Sequence, residues 1–198
     1  MIRSHGLDFM MYADDSQLYI TFNPDHTHSA IINLEQSIND IQSFFLENRL
    51  VNNPSKTEIV HFYSRFSNRA PISGINMNQH HISISREARK LGVIFDKHLT
   101  MSGHVNNLCR TASLAIRNIG RIRNYLDQPS TERLVHAFVS SKLDYCNSVL
   151  YGLPAKQLSK LQRLQNSTAR LVTKARRRDH IRFYLLLLRL LTAMRNCI

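Results

Sequence analysis

The chain has 198 residues, of which 43% are hydrophobic, a composition that argues against intrinsic disorder and for a folded core. Three widely separated cysteines, Cys109, Cys146 and Cys197, have neither the pairing of a disulfide framework nor the spacing of a zinc site, so we expect reduced intracellular thiols. The net charge is +12, with three basic and eight acidic residues in 1–60 but 23 basic and six acidic residues in 61–198. This distribution fits a basic soluble protein, or a protein that binds metal at one end and a polyanion along the other.

The first predicted element is a β-hairpin with two adjacent carboxylates, Asp14 and Asp15, at its tip. Its first arm, residues 7–12, is apolar, and its second arm, residues 17–22, alternates between polar and apolar side chains. Adjacent like charges repel in a tight turn. Mg²⁺ would turn this repulsion into attraction to the cation, because it prefers carboxylate oxygen as a ligand. The pair therefore indicates either a site for metal-assisted phosphoryl transfer or an ordinary polar turn, in which Asp is also favoured.

One helix and several short strands are predicted after this hairpin. Apolar residues recur every three or four positions over Ser29–Glu47, which predicts an amphipathic helix capped by Ser29. The polar stretch Ser64–Gln79 predicts a loop. Three segments are expected to be extended, the last two forming a hairpin or a pair of edge strands: Thr57–Phe62, Ile82–Ile84 and Lys90–Phe95.

From Leu99 onward the apolar period is helical and predicts three helices, over 103–126, from Pro129, and after Pro154. Basic residues follow one side of the first and third of these helices: Arg110, Arg117, Arg121, Lys156, Lys160, Arg163, Arg170 and Lys174. Charge runs of this kind are commonly a solvated face. The near absence of compensating Asp or Glu favours contacts to nucleic-acid phosphates instead.

No signal peptide pattern follows Met1. The most apolar stretch, Phe183–Leu191, is interrupted by Arg189 and is far shorter than the ~20 residues of a membrane-spanning helix. We therefore expect an intracellular protein, nuclear or cytoplasmic, that is not secreted and has no membrane partner.

The segment Phe9–Tyr19, which contains Tyr12-Ala13-Asp14-Asp15, closely resembles the active-site hairpin of reverse transcriptases from non-LTR (LINE-type, jockey-like) retrotransposons. Asn48–Thr57 resembles the family's Asn-x-Leu-x-Leu-Asn-Pro-x-Lys-Thr motif, although Asn52 replaces an apolar residue. Further similarity to the family lies in shorter segments: Lys90–Val93, His104-Val105, Lys142–Cys146, Leu150–Gly152, Leu161–Asn166, Ala169-Arg170 and Arg178–His180.

This resemblance implies an α+β fold. Residues 1–98 would form part of a polymerase palm, with antiparallel hairpins and one helix, and residues 99–180 an all-helical thumb. Residues 181–198 would be a divergent basic and leucine-rich tail. The implied activity is that of an RNA-directed DNA polymerase, a nucleotidyltransferase that uses two metal ions.

The resemblance also implies the site residues and partners. Asp14 and Asp15 would be catalytic and hold Mg²⁺ or Mn²⁺, and Lys56 would assist the departing pyrophosphate, unless it is only a surface lysine after a turn. The implied partners are an RNA template, a DNA primer and, in the parent enzyme, a dNTP. The expected primer or nucleic-acid contacts are the basic helix residues together with Tyr12, Leu91 and Gly92, although Gly92 in a strand could equally mark a bulge.

In the family, the fingers and the palm strand with the third catalytic aspartate lie upstream of the hairpin, and here only eleven residues precede Tyr12. We therefore expect these 198 residues alone to be inactive as a polymerase. The alternative is a non-catalytic basic module that binds nucleic acid, either as a remnant of such an enzyme or after co-option.

Overall fold

The computed structural model of the chain describes residues 6–13, 15–50, 53–67, 72–77, 80–176 and 178–181. They form an α+β structure of small antiparallel hairpins and helices, which confirms the α+β class predicted from the sequence. The chain divides into two compact units, Met1–Ala88 (unit 1) and Arg89–Ile198 (unit 2). The division at residue 98 that the family resemblance implies stays a prediction.

Unit 1 begins with an antiparallel hairpin of β1 (Asp8–Tyr12) and β2 (Asp15–Tyr19). The register pairs Tyr12 with Asp15, so Asp15 is the first residue of β2. Ala13 has a φ of 53°, in the left-handed region that two-residue hairpin connections use. The other predicted tip residue, Asp14, lies outside the described part of the chain.

The helix of unit 1, α1 (Thr27–Glu47), begins earlier than predicted, because a 3₁₀ turn at Pro24–His26 leads directly into it. The Asn23 side chain accepts a hydrogen bond from the Asp25 N–H and so caps that turn. The prediction that Ser29 caps α1 is wrong. Ser29 lies in the first turn, where its hydroxyl donates to the His26 carbonyl at 2.9 Å.

A second hairpin pairs β3 (Gly74–Met77) with β4 (His80–Ser83). The prediction of a loop over Ser64–Gln79 is therefore wrong at β3, where Ile75 and Met77 alternate inward and are buried. α1 packs on this strand, and the Glu35 carboxylate accepts a hydrogen bond from the Asn76 N–H at 2.7 Å.

The predicted strand Thr57–Phe62 is not formed. Only Ile59 makes a β-bridge, to Ile84, and its carbonyl accepts from the Ser85 N–H at 2.8 Å. The alternating sequence is compatible with a strand, but this segment makes no continuous ladder. The fully buried apolar side chains of unit 1 described in the structure are few: Leu7, Ala30, Ile75 and Met77.

A third hairpin pairs β5 (Glu87–Lys90) with β6 (Val93–Asp96). The prediction of one strand over Lys90–Phe95 is wrong, because Leu91 and Gly92 form the turn between two strands. Their φ values are 45° and 82°, and positive φ at both central residues is the mark of a type I′ hairpin turn. Val93 is buried, whereas both turn residues are exposed.

The three predicted helices of unit 2 are confirmed. They are α2 (Ser102–Ile122), a continuous helical run over 128–144, and a last helix, α5 (Ala155–Thr173). The run consists of α3 (Gln128–Val135), a π-helical turn (His136–Ser140) and α4 (Ser141–Asp144). α2 is shorter than predicted because a 3₁₀ turn, Arg123–Tyr125, follows it.

Two hydrophobic clusters hold these helices together. The larger joins the inner faces of α2, α4 and α5, with Val105, Ala112, Leu143 and Leu161 among its buried members. The smaller contains Ile119, Val135, Ala169, Val172 and Ile181. The predicted tail beyond Ile181 lies outside the described residues.

A buried cation, Arg123, joins the end of α2 to the end of α5. Its guanidinium donates to the carbonyls of Leu171 at 2.8 Å and Val172 at 2.7 Å, and to that of Leu126 at 2.8 Å. Carbonyls in the last turn of a helix have no partner within the helix, so Arg123 satisfies acceptors that burial would otherwise leave unpaired.

No helix in the described ranges combines the length and the hydrophobicity needed to cross a membrane.

Candidate functional site

The first β-hairpin presents its predicted site residues to solvent. Asp15 is exposed at the start of β2, opposite Tyr12, which has 61% of its surface exposed. Met10 and Met11 on β1 are 58% and 62% exposed. The hairpin therefore shows an apolar strand beside a carboxylate, and little of its surface is used for packing within unit 1.

A hard divalent cation fits the chemistry of this hairpin, since carboxylate oxygen is its preferred ligand. Asp15 could supply one such oxygen, and Asp14 is adjacent in sequence. Within the described ranges, however, no group of three or more His, Cys, Asp or Glu side chains is placed to hold a metal ion. The assignment of Asp14 and Asp15 as Mg²⁺ ligands therefore stays a prediction from the sequence resemblance.

Lys56 lies at the end of a 3₁₀ turn, Pro54–Lys56, and is exposed. The turn is built by Asn53, whose carbonyl accepts from the Lys56 N–H at 3.1 Å and whose side-chain oxygen accepts from the Ser55 N–H at 3.0 Å. The structure thus places Lys56 and Asp15 in separate elements of unit 1. The charge of Lys56 is available to a ligand.

The Leu91–Gly92 turn is held by Tyr145, which was not predicted as a site residue. The Tyr145 hydroxyl donates to the Leu91 carbonyl at 2.7 Å, across 54 positions of sequence. The ring lies over Gly92, where an added Cβ would stand 3.5 Å from Tyr145 Cε1. The φ of 82° favours glycine here, and the space around it does not demand one. No local signal in the sequence links Tyr145 to this turn.

The predicted basic stripe is present on two helices that pack against each other, α2 and α5. Arg110, Arg117 and Arg121 on α2 are exposed, as are Lys156 and Arg163 on α5. The other members are placed differently from the prediction. Lys160 and Arg170 are half-buried, and Lys174 follows the last residue of α5 as its C-cap, with a φ of 54°.

Neither of these helices contains an acidic residue, although together they carry seven Lys or Arg. A surface helix usually offsets its cations with Glu or Asp three or four residues away. The α2–α5 pair therefore holds seven cations and no acidic residue of its own.

A groove of about 350 Å³ lies between α2 and α5. Cys109, Ser113 and Ile116 line it from α2, and Lys160, Arg163, Leu164 and Ser167 line it from α5. Burial raises the pKa of the Cys109 thiol, while the nearby charges of Lys160 and Arg163 act in the opposite direction. Both cations therefore lie close to the same sulfur atom.

The burial of one histidine was not predicted from the sequence, which named it only within the family-like segment His104-Val105. His104, near the start of α2, is 2% exposed, and its Nδ1 accepts from the Ile94 N–H at 3.4 Å. Its Nε2 is buried without a hydrogen-bond partner. Burial, followed by the positive charge of Arg89, lowers the pKa of His104. The neutral ring is thus the form that the fold accommodates, which is a structural role.

Compared with models of protein families, with curated proteins and with solved structures, the chain matches none. Chemically, the arrangement offers a solvent-exposed carboxylate hairpin in unit 1 and an acid-free cationic surface in unit 2. The second of these features suits the binding of a polyanion.

Proposed function

We propose that this chain is the palm-hairpin and thumb portion of an RNA-directed DNA polymerase of the non-LTR retrotransposon type. In this proposal unit 2 binds the phosphate backbone of an RNA template and DNA primer. Asp14 and Asp15 belong to the two-metal site of the parent enzyme, in which Mg²⁺ or Mn²⁺ would assist nucleotidyl transfer. The binding function is the part that the geometry supports best.

The observation that carries the proposal is the absence of Asp and Glu from two packed helices that hold seven cations. α2 and α5 pack against each other, and neither helix holds an acidic residue that would neutralise these charges. Phosphates spaced along a nucleic acid neutralise such a surface and release counterions, which favours association at low salt. Backbone contacts of this kind position a duplex and carry no sequence information.

The binding test uses fluorescence anisotropy with a labelled RNA–DNA hybrid over a range of salt concentrations. Replacing Arg110, Arg117 and Lys156 with Gln removes three exposed cations from the two helices. We expect the affinity to fall roughly tenfold or more. The slope of log affinity against log salt should become less negative by about 3. The matched control replaces three exposed arginines outside these helices, Arg65, Arg86 and Arg133, with Gln. Equal losses in the two variants would refute a binding surface on α2 and α5.

The catalytic part of the proposal has a separate test. These 198 residues, expressed alone, should bind the hybrid without extending its primer. Magnesium-dependent extension that is abolished by Asp14→Ala would contradict this expectation and assign activity to the chain itself.

The alternative function, a non-catalytic nucleic-acid-binding module, is favoured by the same acid-free helices and needs no metal. Under this alternative, Asp14→Ala and Asp15→Ala leave the salt-dependent binding unchanged. In addition, none of the gene products that are longer than these 198 residues extends a primer. A longer product that incorporates nucleotides and loses this activity on the same substitutions would exclude the alternative.

A further inference from the structure

The groove between α2 and α5 differs from the rest of the basic surface because its cations converge on one concave space. Lys160 and Arg163 lie one turn apart on α5 and both line the groove, facing Cys109 and Ser113 on α2. The other basic residues that were predicted on one side of these two helices do not line the groove. No acidic side chain lines it among the residues that the structure describes.

Both cations keep hydrogen-bond donors for a ligand. Lys160 Nζ donates to Asn106 Oδ1 on α2 at 2.7 Å, which fixes the side chain across the groove and leaves two of its three donors. Arg163 Nε donates to the Ser159 carbonyl at 3.2 Å, which leaves the two terminal nitrogens of the guanidinium. An internal contact thus holds each side chain in place, so that a ligand meets charges that are already positioned.

The size and lining of the groove suit one tetrahedral anion with part of its ester group. Its volume of about 350 Å³ is more than ten times the roughly 30 Å³ that a water molecule occupies in the liquid, so the groove has room for such a group. The fork of Arg163 can bind two oxygens at once, Lys160 adds a point charge, and Ser113 adds a hydroxyl. A carboxylate or a halide would use fewer of these donors than a phosphate group.

We infer that this groove is a phosphate site, in which Lys160, Arg163 and Ser113 hold a single phosphate group. The inference rests on the proposed function in one respect: a nucleic-acid backbone is one source of that phosphate. A small phosphate compound, for which pyrophosphate serves as the probe, is the other source. In both cases the ligand covers Cys109.

The experiment uses Cys109 as a reporter of groove occupancy in the full chain carrying Cys197→Ser. The rate of alkylation of Cys109 is compared with that of Cys146, a thiol that does not line the groove, by mass spectrometry. Sodium pyrophosphate is the first probe, at constant ionic strength, and a short single-stranded oligonucleotide is the second. At a probe concentration of about ten times Kd, the alkylation rate of Cys109 should fall roughly tenfold, because only the unoccupied groove reacts.

The substituted chain Lys160→Gln/Arg163→Gln should lose this protection. The matched control is Arg133→Gln/Lys142→Gln, which removes the same charge from the α3–α4 run and should keep the protection. Each variant is compared with itself in the absence of the probe, because removing a cation also changes the basal reactivity of the thiol.

The outcomes separate the inference from the proposed function. Protection by pyrophosphate alone supports the phosphate site and removes nucleic acid as its ligand. Protection by both probes supports the phosphate site and a nucleic-acid backbone as one source of its phosphate. Oligonucleotide binding seen by anisotropy, with no protection of Cys109 by either probe, overturns the inference and leaves the proposed function standing. Protection that persists in Lys160→Gln/Arg163→Gln also overturns the inference.

Discussion

The two units of this chain use apolar and charged side chains in opposite ways. Unit 1 buries few apolar side chains and exposes most of β1, whereas unit 2 encloses two hydrophobic clusters beneath its helices. Residues 1–88 hold six basic and nine acidic residues, and residues 89–198 hold 20 basic and five acidic ones. Most of the buried apolar side chains described in the structure therefore belong to the cationic unit, while the hairpin with the candidate catalytic carboxylates has little core of its own.

The contrast between the two units can be tested first by removing a buried side chain from the core of unit 2. Leu161 is 1% exposed within the larger cluster, so Leu161→Ala removes buried methyl groups and leaves a cavity. We expect the free energy of unfolding of unit 2 to fall by about 3 kcal/mol, measured by urea denaturation followed by helical circular dichroism.

Leu114 on α2 is the matched control for this substitution, since it is 49% exposed. Leu114→Ala should change stability by less than about 0.5 kcal/mol. Similar effects for the two leucines would mean that unit 2 lacks a tightly packed core around Leu161.

The second test removes the buried cation that joins α2 to α5. Arg123→Met keeps the length of the side chain but leaves the carbonyls of Leu171 and Val172 without their donor. We expect a loss of about 2 kcal/mol in the same denaturation assay. Arg121→Met removes an equal charge from an exposed position two residues away and should cost far less. If it costs as much, net charge rather than the buried hydrogen bonds determines the effect.

A third substitution should stabilise the molecule. Leu91 occupies the left-handed region with a φ of 45°, which costs a leucine about 1–2 kcal/mol. Leu91→Asn supplies the Asn-Gly pair that type I′ turns prefer, so the free energy of unfolding should rise by about 1 kcal/mol. If Leu91 also contacts nucleic acid, the anisotropy assay will show weaker binding by a more stable protein. Stabilisation with unchanged binding would count against Leu91 as a contact.

The smallest expected effect is a pH dependence that both units share. The pKa of His104 in unit 2 and that of His61 in unit 1 are lowered by burial. Above the unfolded value of about 6.5 both rings are neutral in both states, so neither costs stability. As the pH falls below 6.5, the unfolded chain takes up protons that the folded chain resists, and stability declines.

This decline is measured as the urea midpoint between pH 8 and pH 5. His104→Gln and His61→Gln should each flatten the curve, and the size of each change assigns the decline to one unit. A curve that stays unchanged in both variants would place the dependence on other groups.

The sequence predicted the helices of unit 2 well because their apolar periodicity reflects direct burial. Leu108, Ala112, Ile119, Leu161 and Leu164 fall on the inner faces as the pattern requires. The errors lie in the short strands. The alternation in Thr57–Phe62 is real, but a strand needs a partner along its length, and a local pattern does not record whether that partner exists.

The candidate site was predictable where it depends on composition and not where it depends on distant contacts. The basic residues of α2 and α5 were identified from spacing alone, and most of them are exposed as expected. The hydrogen bonds from Lys160 to Asn106, from Tyr145 to Leu91 and from Arg123 to Leu171 all join positions far apart in sequence. No periodicity encodes such pairs, so they required the structure.

The lack of acidic residues in α2 and α5 has a consequence for the folding of the chain itself. Seven cations on two packed helices repel one another, and this repulsion opposes the packing that buries Leu161 and Leu164. Added salt screens that repulsion, so unit 2 should melt at a higher temperature in concentrated salt. A bound polyanion would do the same at low salt, since any ligand of the folded state alone adds to its stability.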